Sequence, residues 1–326
     1  MQENKPKTRM SRFKQYDYSR GAVLFITFGL KKRLPLMGVV AERKTILNSV
    51  GKAVLETIQR EMKRNPDITL HRFVIMPDHI HLRLYICPGA AAPLREIGMF
   101  VNNLKRWSRW KADKMGVDLD WNEGYHDRIC LSAEIIDLVD KYIDNNPLKW
   151  SLMHGDNALM RVAEPLSNPI FPLGEWWAGV GNEELLNGRL AAMKLSRSIP
   201  RGEIWRVVGR CLAAAAKGFI PISTFISPAE RELFNALVKS HLPMIRVVPD
   251  QLATVYRPKG DEPPLFADGN YLLLARVAAP GISRSDAWHG INDAIAKAAL
   301  LGGGEAVYVV DKGEGVEWRF GSRARP

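Results

Sequence analysis

The sequence predicts an α/β protein of two domains. Three observations carry this expectation. The chain has 326 residues, more than one ordinary domain holds. Residues 21–160 mix strand-like runs with long amphipathic helices. Residues 187–326 alternate strand-like and helix-like runs, the pattern of a parallel sheet with crossover helices. An apolar content of 46% can fill two cores, and 25% charged residues is ordinary for a globular chain. The expected organisation is a basic arm over residues 1–20, a first domain over 21–160, a linker over 161–186 and a second domain over 187–326.

In the first domain, residues 21–29 (GAVLFITFG) read as a strand, and 44–63 as an amphipathic helix that ends before Asn65-Pro66. Residues 68–76 and 80–86 read as two strands around the short turn Pro77-Asp78. Residues 94–114 space Leu94, Ile97, Val101, Leu104 and Trp107 as a helix does, with Lys105, Arg106, Arg109 and Lys111 on the other face. Those four are a solvated helix face or a ridge that contacts phosphate. Residues 134–145 read as a last helix, stopped by Pro147.

Residues 160–185 hold Pro165, Pro169, Pro172, Gly174 and Trp176-Trp177, a connector or docking segment. Beyond it, 189–195, 218–223, 244–248, 271–275 and 306–310 read as strands. Between them, 201–217, 228–240 and 285–300 read as helices.

The net charge of +11 is uneven. Residues 1–165 carry +8, from 27 basic and 19 acidic side chains, and the remainder carries +3. A basic N-terminal half suits a polyanion, and nucleic acid fits better than a membrane surface because no basic amphipathic segment flanks an apolar one. No apolar stretch approaches the roughly 20 residues of a membrane span, and the polar N-terminus leads into no signal-peptide core. Cys87, Cys130 and Cys211 give neither a disulfide framework nor a zinc spacing. These features suggest a cytoplasmic protein.

The segment 73–86 (FVIMPDHIHLRLYI) contains His79-Ile80-His81. Residues i and i+2 of a strand share a face, so the imidazoles would stand side by side with Ile80 buried behind them. That is half of a divalent metal site. Taken alone, such a pair more often just lines a half-buried strand, and a third ligand and a nucleophile elsewhere would decide the matter. Tyr142 and Asn146 are spaced i, i+4 on the last helix and so share a face. Asn offers a carbonyl oxygen that Mg2+ or Mn2+ accepts. A phenol with a pKa of ~10 is a poor nucleophile until a metal neutralises the phosphate it attacks. Separately, Tyr142 suits a packed aromatic and Asn146 a helix-end residue; together they are harder to dismiss.

The run Met76-Pro-Asp-His-Ile-His-Leu82, followed about sixty residues later by Tyr142-Ile-Asp-Asn-Asn-Pro147, resembles the IS200-like transposases of the HUH superfamily, and more closely the REP-associated tyrosine transposases. The intervening Trp121-Asn-Glu-Gly-Tyr-His-Asp-Arg128 resembles the aromatic, Asp-containing segment of these proteins. The resemblance covers residues 12–155. It implies a ferredoxin-like α+β domain whose antiparallel sheet presents the histidines while a helix presents the tyrosine.

By that resemblance, His79, His81 and Asn146 bind Mg2+ or Mn2+, and Tyr142 attacks a phosphate of single-stranded or hairpin DNA to form a 5′-phosphotyrosine. Arg128 joins the α-helical cations as a DNA contact, and a homodimer that exchanges the tyrosine helix is an arrangement the family allows. Asp78 stands where relatives often carry Asn, and either adds negative charge near the metal or turns the chain. Tyr125 is a second nucleophile candidate without a partner at i+4, and His126 a neighbour suited to packing. A DNA-hairpin-binding protein without turnover is the alternative, and an RNA-binding protein would leave Tyr142 and Asn146 unexplained.

The second domain resembles the Rossmann-like domains of the DNA-processing protein A and lysine-decarboxylase-like group, through Leu195-Ser-Arg-Ser198 and Ser223-Thr-Phe-Ile-Ser-Pro-Ala-Glu230. Loops at the carboxyl ends of parallel strands bind ligands in such folds. Ser196, Arg197 and Ser227 would then hold a phosphate, of a nucleotide or of the DNA backbone. No Gly-x-Gly-x-x-Gly accompanies them, and a structural or dimerising domain without a ligand fits as well.

Overall fold

The computed structural model describes residues 16–90, 93–155, 157–163, 177–249, 251–276, 291, 295, 305–311 and 316–321. The chain divides into two compact units, Met1–Ser151 and Leu152–Pro326.

The first unit is built on a four-stranded sheet. Strand β1 (Ala22–Gly29) is followed by a hairpin of β2 (Gly38–Ala41) and β3 (Lys44–Leu47), helix α1 (Ser49–Arg64), strands β4 (Ile68–Ile75) and β5 (His79–Ile86), helix α2 (Pro93–Asp113), strand β6 (His126–Ile129) and helix α3 (Ala133–His154). The sheet order is β4-β5-β1-β6, and every neighbouring pair is antiparallel. This is the ferredoxin-like arrangement of two interleaved β-α-β units. One face meets α1 and α2 in a core that includes Leu24, Ile26, Phe28, Val54, Ile58, Ile80, Leu82, Leu84, Phe100 and Leu104. The other face meets α3 through Val23, Phe25, Val74, Val139 and Ile143.

Three elements differ from the sequence reading. Residues 44–63 are not one helix: Lys44–Leu47 is a strand, and Asn48 caps α1 by accepting the Gly51 amide at 2.9 Å. Side-chain capping of this kind stabilises a helix start by about 1 kcal/mol, and the pattern of apolar residues runs across the boundary and hides it. Tyr18, read as part of a solvated arm, is buried in the core.

The third difference matters most. Helix α3 runs through Pro147 to His154. An interior Pro removes one ladder bond and costs about 3 kcal/mol. Here Ile143 and Leu148, on either side of it, are buried. The Asn146 carboxamide also donates to the Tyr142 carbonyl at 2.8 Å, and the Ser151 hydroxyl donates to the Pro147 carbonyl at 3.2 Å. Local propensity is overridden by packing, so two further residues, Lys149 and Trp150, ride on the tyrosine helix.

The second unit holds a seven-stranded sheet. Strands β7 (Trp177–Gly181), β8 (Arg189–Leu195), β9 (Phe219–Ser223), β10 (Met244–Val248), β11 (Tyr271–Arg276), β12 (Glu305–Asp311) and β13 (Val316–Gly321) are ordered β13-β12-β8-β9-β10-β11-β7. The five central strands are parallel. Both edge strands are antiparallel, which the alternation had not indicated. Helices α4 (Ile204–Ala216), α5 (Pro228–Lys239) and α6 (Glu262–Ala267) connect strands on the β8-to-β11 side. Trp177, read as connector, begins β7 and is buried. The helix expected over 285–300 lies outside the described residues except at Ile291 and Ile295, which are helical and buried. Pro165, Pro169, Pro172, Gly174 and Trp176 also lie outside them. Among the described residues, no helix is long and apolar enough to cross a membrane.

Candidate active site

Strand β5 puts Ile80, Leu82 and Leu84 into the core and turns His79, His81 and Arg83 to the opposite face. The two imidazoles stand side by side, centroids 4.7 Å apart. Each is held through Nδ1. For His79 the partner is Oδ1 of Asp78; for His81 it is the hydroxyl of Thr27, its cross-strand neighbour on β1, at 2.7 Å. Such partners fix ring orientation and raise ligand basicity at Nε2. Asp78 is therefore more than a turn residue: it is buried, and its second oxygen lies 3.6 Å from Nη1 of Arg33.

Helix α3 closes the face. The Tyr142 ring packs on Phe25 at 5.7 Å and stands edge-on to His81 at 5.1 Å, while 37% of the residue remains exposed. The tyrosine thus meets the histidines of its own chain. Asn146 is buried beside it and spends its Nδ2 on the Tyr142 carbonyl, a bond that does not use its Oδ1. Trp150 lies 6.3 Å from His79, and the Lys149 ammonium 5.9 Å from the Tyr142 ring centroid.

Two arginine–aspartate pairs pin this helix. Arg83 holds Asp140 in a two-pronged pair at 2.5 and 3.0 Å. Arg72 holds Asp144 the same way, with Nε at 2.9 Å, and this carboxylate pushes the guanidinium pKa up. Arg72 and Arg83 are direct cross-strand partners, brought into line by an irregularity of β4 between Leu70 and Arg72. The aspartates are spaced i, i+4 and bracket Tyr142. The sequence reading passed over all four residues; an i, i+4 aspartate pair around a candidate nucleophile was the available signal.

The residues fit a divalent cation. Nε2 of His81 is buried and has no hydrogen-bond partner among the described residues. Burial above all, then His79, pulls the His81 pKa down to about 3, with Lys149 and Arg33 acting in the same direction and Asn146 opposing. The ring is therefore neutral at physiological pH, the state in which imidazole ligates a metal. Among the described residues no three His, Cys, Asp or Glu side chains gather as a cage.

Residues 31–146 match the family model described as Transposase IS200 like. The IS200-like segment includes Arg33, Asp78, both histidines, Tyr142 and Asn146. An uncharacterized protein of Haemophilus influenzae (strain ATCC 51907 / DSM 11121 / KW20 / Rd) is 26% identical over 163 residues, 44% of this chain and 89% of that protein. A solved structure of a REP-associated tyrosine transposase bound to a REP hairpin is 16% identical, with a TM-score of 0.29, covering 45% of this chain and 75% of that one.

Within the IS200-like segment the basic residues of α2 sit behind the sheet, on the layer opposite the histidines. Lys105 donates to the carbonyls of Asn122, at 2.8 Å, and Gly124, and burial draws its pKa down to about 8. Arg109 lies 3.6 Å from both Asp118 and Asp120, Lys111 pairs with Glu56 at 2.8 Å, and Arg106 lies over Trp107. Of the five residues read as DNA contacts, Arg128, exposed on β6 opposite Phe25, is the one that shares the histidine face. Tyr125 packs against the core on the far face, away from the histidines.

In the second unit Ser196 follows β8, where its hydroxyl contacts that of Ser198 at 2.7 Å, and Arg197 lies between them. Ser227 is the N-cap of α5, in a reciprocal capping box with Glu230. The buried Glu230 carboxylate also accepts the amides of Leu195 at 3.1 Å and Ile226 at 2.8 Å. The amides at the carboxyl ends of β8 and β9 thus already serve an anion of the chain itself. The Ser-x-x-Glu spacing was the signal for this box.

Proposed function

We propose that this protein is a metal-dependent transposase that cleaves and rejoins single-stranded DNA at hairpin-forming ends through a 5′-phosphotyrosine on Tyr142. The observation that carries the reading is the contact of the Tyr142 ring with His81, whose buried Nε2 has no partner among the described residues. The IS200-like match over 31–146 and the basic N-terminal half support DNA as the substrate.

His79, His81 and Asn146 would hold Mg2+ or Mn2+, which when bound polarises the scissile phosphate as a Lewis acid. The Asp78 carboxylate holds His79 in the tautomer that presents Nε2, and Thr27 fixes the orientation of the His81 ring. Phe25 and His81 fix the tyrosine ring from two sides, so the hydroxyl has little rotational freedom to lose on reaction. The Tyr142 oxygen forms a bond to phosphorus as the bond to the 3′-oxygen breaks; the phenol proton leaves and the 3′-oxygen takes one up. The phosphodiester energy stays in the protein–DNA bond, so a 3′-hydroxyl of another strand reverses the step without ATP.

For the second unit, five parallel strands support a Rossmann-like grouping. Because Glu230 occupies the strand-end amides, the proposal gives that unit no nucleotide.

Incubation with Mn2+ and end-labelled hairpin DNA tests the reading. A protease-sensitive covalent adduct that disappears in Tyr142→Phe is expected. An adduct that survives in Tyr142→Phe and vanishes in Tyr125→Phe would reassign the nucleophile. No adduct across varied hairpins would leave a DNA-hairpin-binding protein without turnover.

A further inference from the structure

Two cations approach the histidine pair from different elements, and neither was marked by its spacing in the sequence. Arg33 follows β1. Its backbone is left-handed, with φ at +51°, a conformation that costs a non-glycine residue on the order of 1 kcal/mol and persists where the surroundings impose it. The guanidinium lies over Gly29: a methyl group there would come within 2.9 Å of Nη1 and 3.0 Å of the His79 Cβ. Its side chain is 60% exposed, and its contact with Asp78 uses one edge, leaving further N–H groups of the five a guanidinium carries. Lys149 comes from a different element, on the stretch of α3 that continues past Pro147. Its ammonium lies 5.9 Å from the Tyr142 ring centroid. Arg33 thus lies beside the Asp78 carboxylate that holds His79, and Lys149 beside the Tyr142 ring that meets His81, so both cations border the point where a phosphate facing His81 and Tyr142 would sit.

We infer that Arg33 and Lys149 form a clamp for the DNA phosphate that faces His81 and Tyr142. The inference rests on the proposed DNA chemistry but adds residues to it. A phosphodiester is a monoanion, and its charge builds on the non-bridging oxygens as the tyrosine attacks. A fork-shaped guanidinium and a point-charge ammonium supplied by two different elements orient those oxygens and stabilise that charge. Arg33 would also hold Asp78, and through it His79, so its two effects must be separated.

Wild type, Arg33→Ala, Lys149→Ala and the charge-preserving Arg33→Lys and Lys149→Arg variants are compared, with circular dichroism to verify folding. Three readouts are taken: hairpin-DNA affinity in EDTA across a salt series, Mn2+ affinity, and the rate of adduct formation. The clamp predicts that each alanine variant weakens metal-free binding about tenfold and lowers the salt slope by about one. Adduct formation should slow by about 100-fold, Lys149→Ala should keep Mn2+ affinity within about twofold, and Lys149→Arg should recover most of the rate. If wild type forms adduct and both alanine variants match it in rate and DNA affinity, the clamp is wrong and the chemistry stands. If wild type forms none but the variants lose metal-free binding as described, the clamp stands and the chemistry falls. If Lys149→Ala loses Mn2+ affinity in step with rate, Lys149 acts through the histidines and the clamp is overturned.

Discussion

The Tyr142 ring meets the His81 imidazole edge-on, with centroids 5.1 Å apart and planes at 74°. A hydroxyl-bearing ring and a neutral imidazole with an unpartnered nitrogen are thereby fixed against each other on a surface that α3 covers only in part. The contact is made within one chain.

A metal ion should stabilise the fold by an amount that depends on His81. A buried nitrogen without a partner costs about 1–3 kcal/mol, and a ligand that binds only the native state adds about 2.7 kcal/mol at a hundred times its Kd. Mn2+ is therefore expected to raise the Tm by on the order of 5 °C, and a chelator to reverse the shift. Scanning calorimetry should show the rise intact in Tyr142→Phe and lost in His81→Ala. A rise that persists in His81→Ala would place the metal elsewhere.

The two clamps on α3 should differ in strength. Arg83 and Asp140 have side chains only 13% and 21% exposed, whereas Arg72 and Asp144 are 45% and 48% exposed. Removing one partner of a largely buried pair strands the other, at about 3 kcal/mol. Exposed pairs contribute below about 1 kcal/mol. Urea unfolding should therefore show Arg83→Ala as the costly variant and Arg72→Ala as the mild one. Equal losses would mean that burial does not rank these pairs.

Gly29 is expected to matter through space rather than flexibility. Its added methyl would press on the Arg33 guanidinium, the His79 Cβ and the Asp78 carbonyl, at 2.9, 3.0 and 3.2 Å. The guanidinium can swing away, but the other two cannot without moving β5. Gly29→Ala should lower Mn2+ affinity at least tenfold, since misplacing a ligand-orienting group costs that much, while the Tm falls by only a few degrees. Unchanged affinity, measured by titration of the folded variant, would show that the loop yields freely.

Which candidate residues share a face was legible in the sequence because strand and helix periods are strict. His79 and His81 share a face because two residues apart on a strand must, and Tyr142 and Asn146 share one because i, i+4 on a helix must. What the sequence hid depends on contacts between distant segments. Pro147 reads as a stop, yet packing carries α3 past it and delivers Lys149 and Trp150. The α2 cations read as neighbours of the histidines, yet the sheet separates them, because periodicity reports which residues share a face and not which layer that face joins. Asp78 and Arg33 lie in turns, where no period exists to read.

The cysteines give a check that is independent of any DNA chemistry. Burial pushes the Cys211 thiol up to about 12, well above the ordinary thiol range, and raises Cys130 as well. Cys87 is only half-buried. At pH 8 a thiol reagent should therefore modify Cys87 first and reach the other two only as the chain unfolds. The sign of the pH effect follows from proton counts. Between pH 9 and 12 the unfolded chain loses the Cys211 proton while the fold retains it, so the native state binds more protons and stability falls as pH rises. Cys211→Ala removes that dependence. The variant starts below wild type at pH 8, where the buried side chain still contributes packing. It should then gain on wild type by about 1.4 kcal/mol for each pH unit above 9. Urea midpoints at pH 8, 9 and 10 measure the gap, and a gap that stays constant would show that the Cys211 thiol ionises as easily in the fold as outside it.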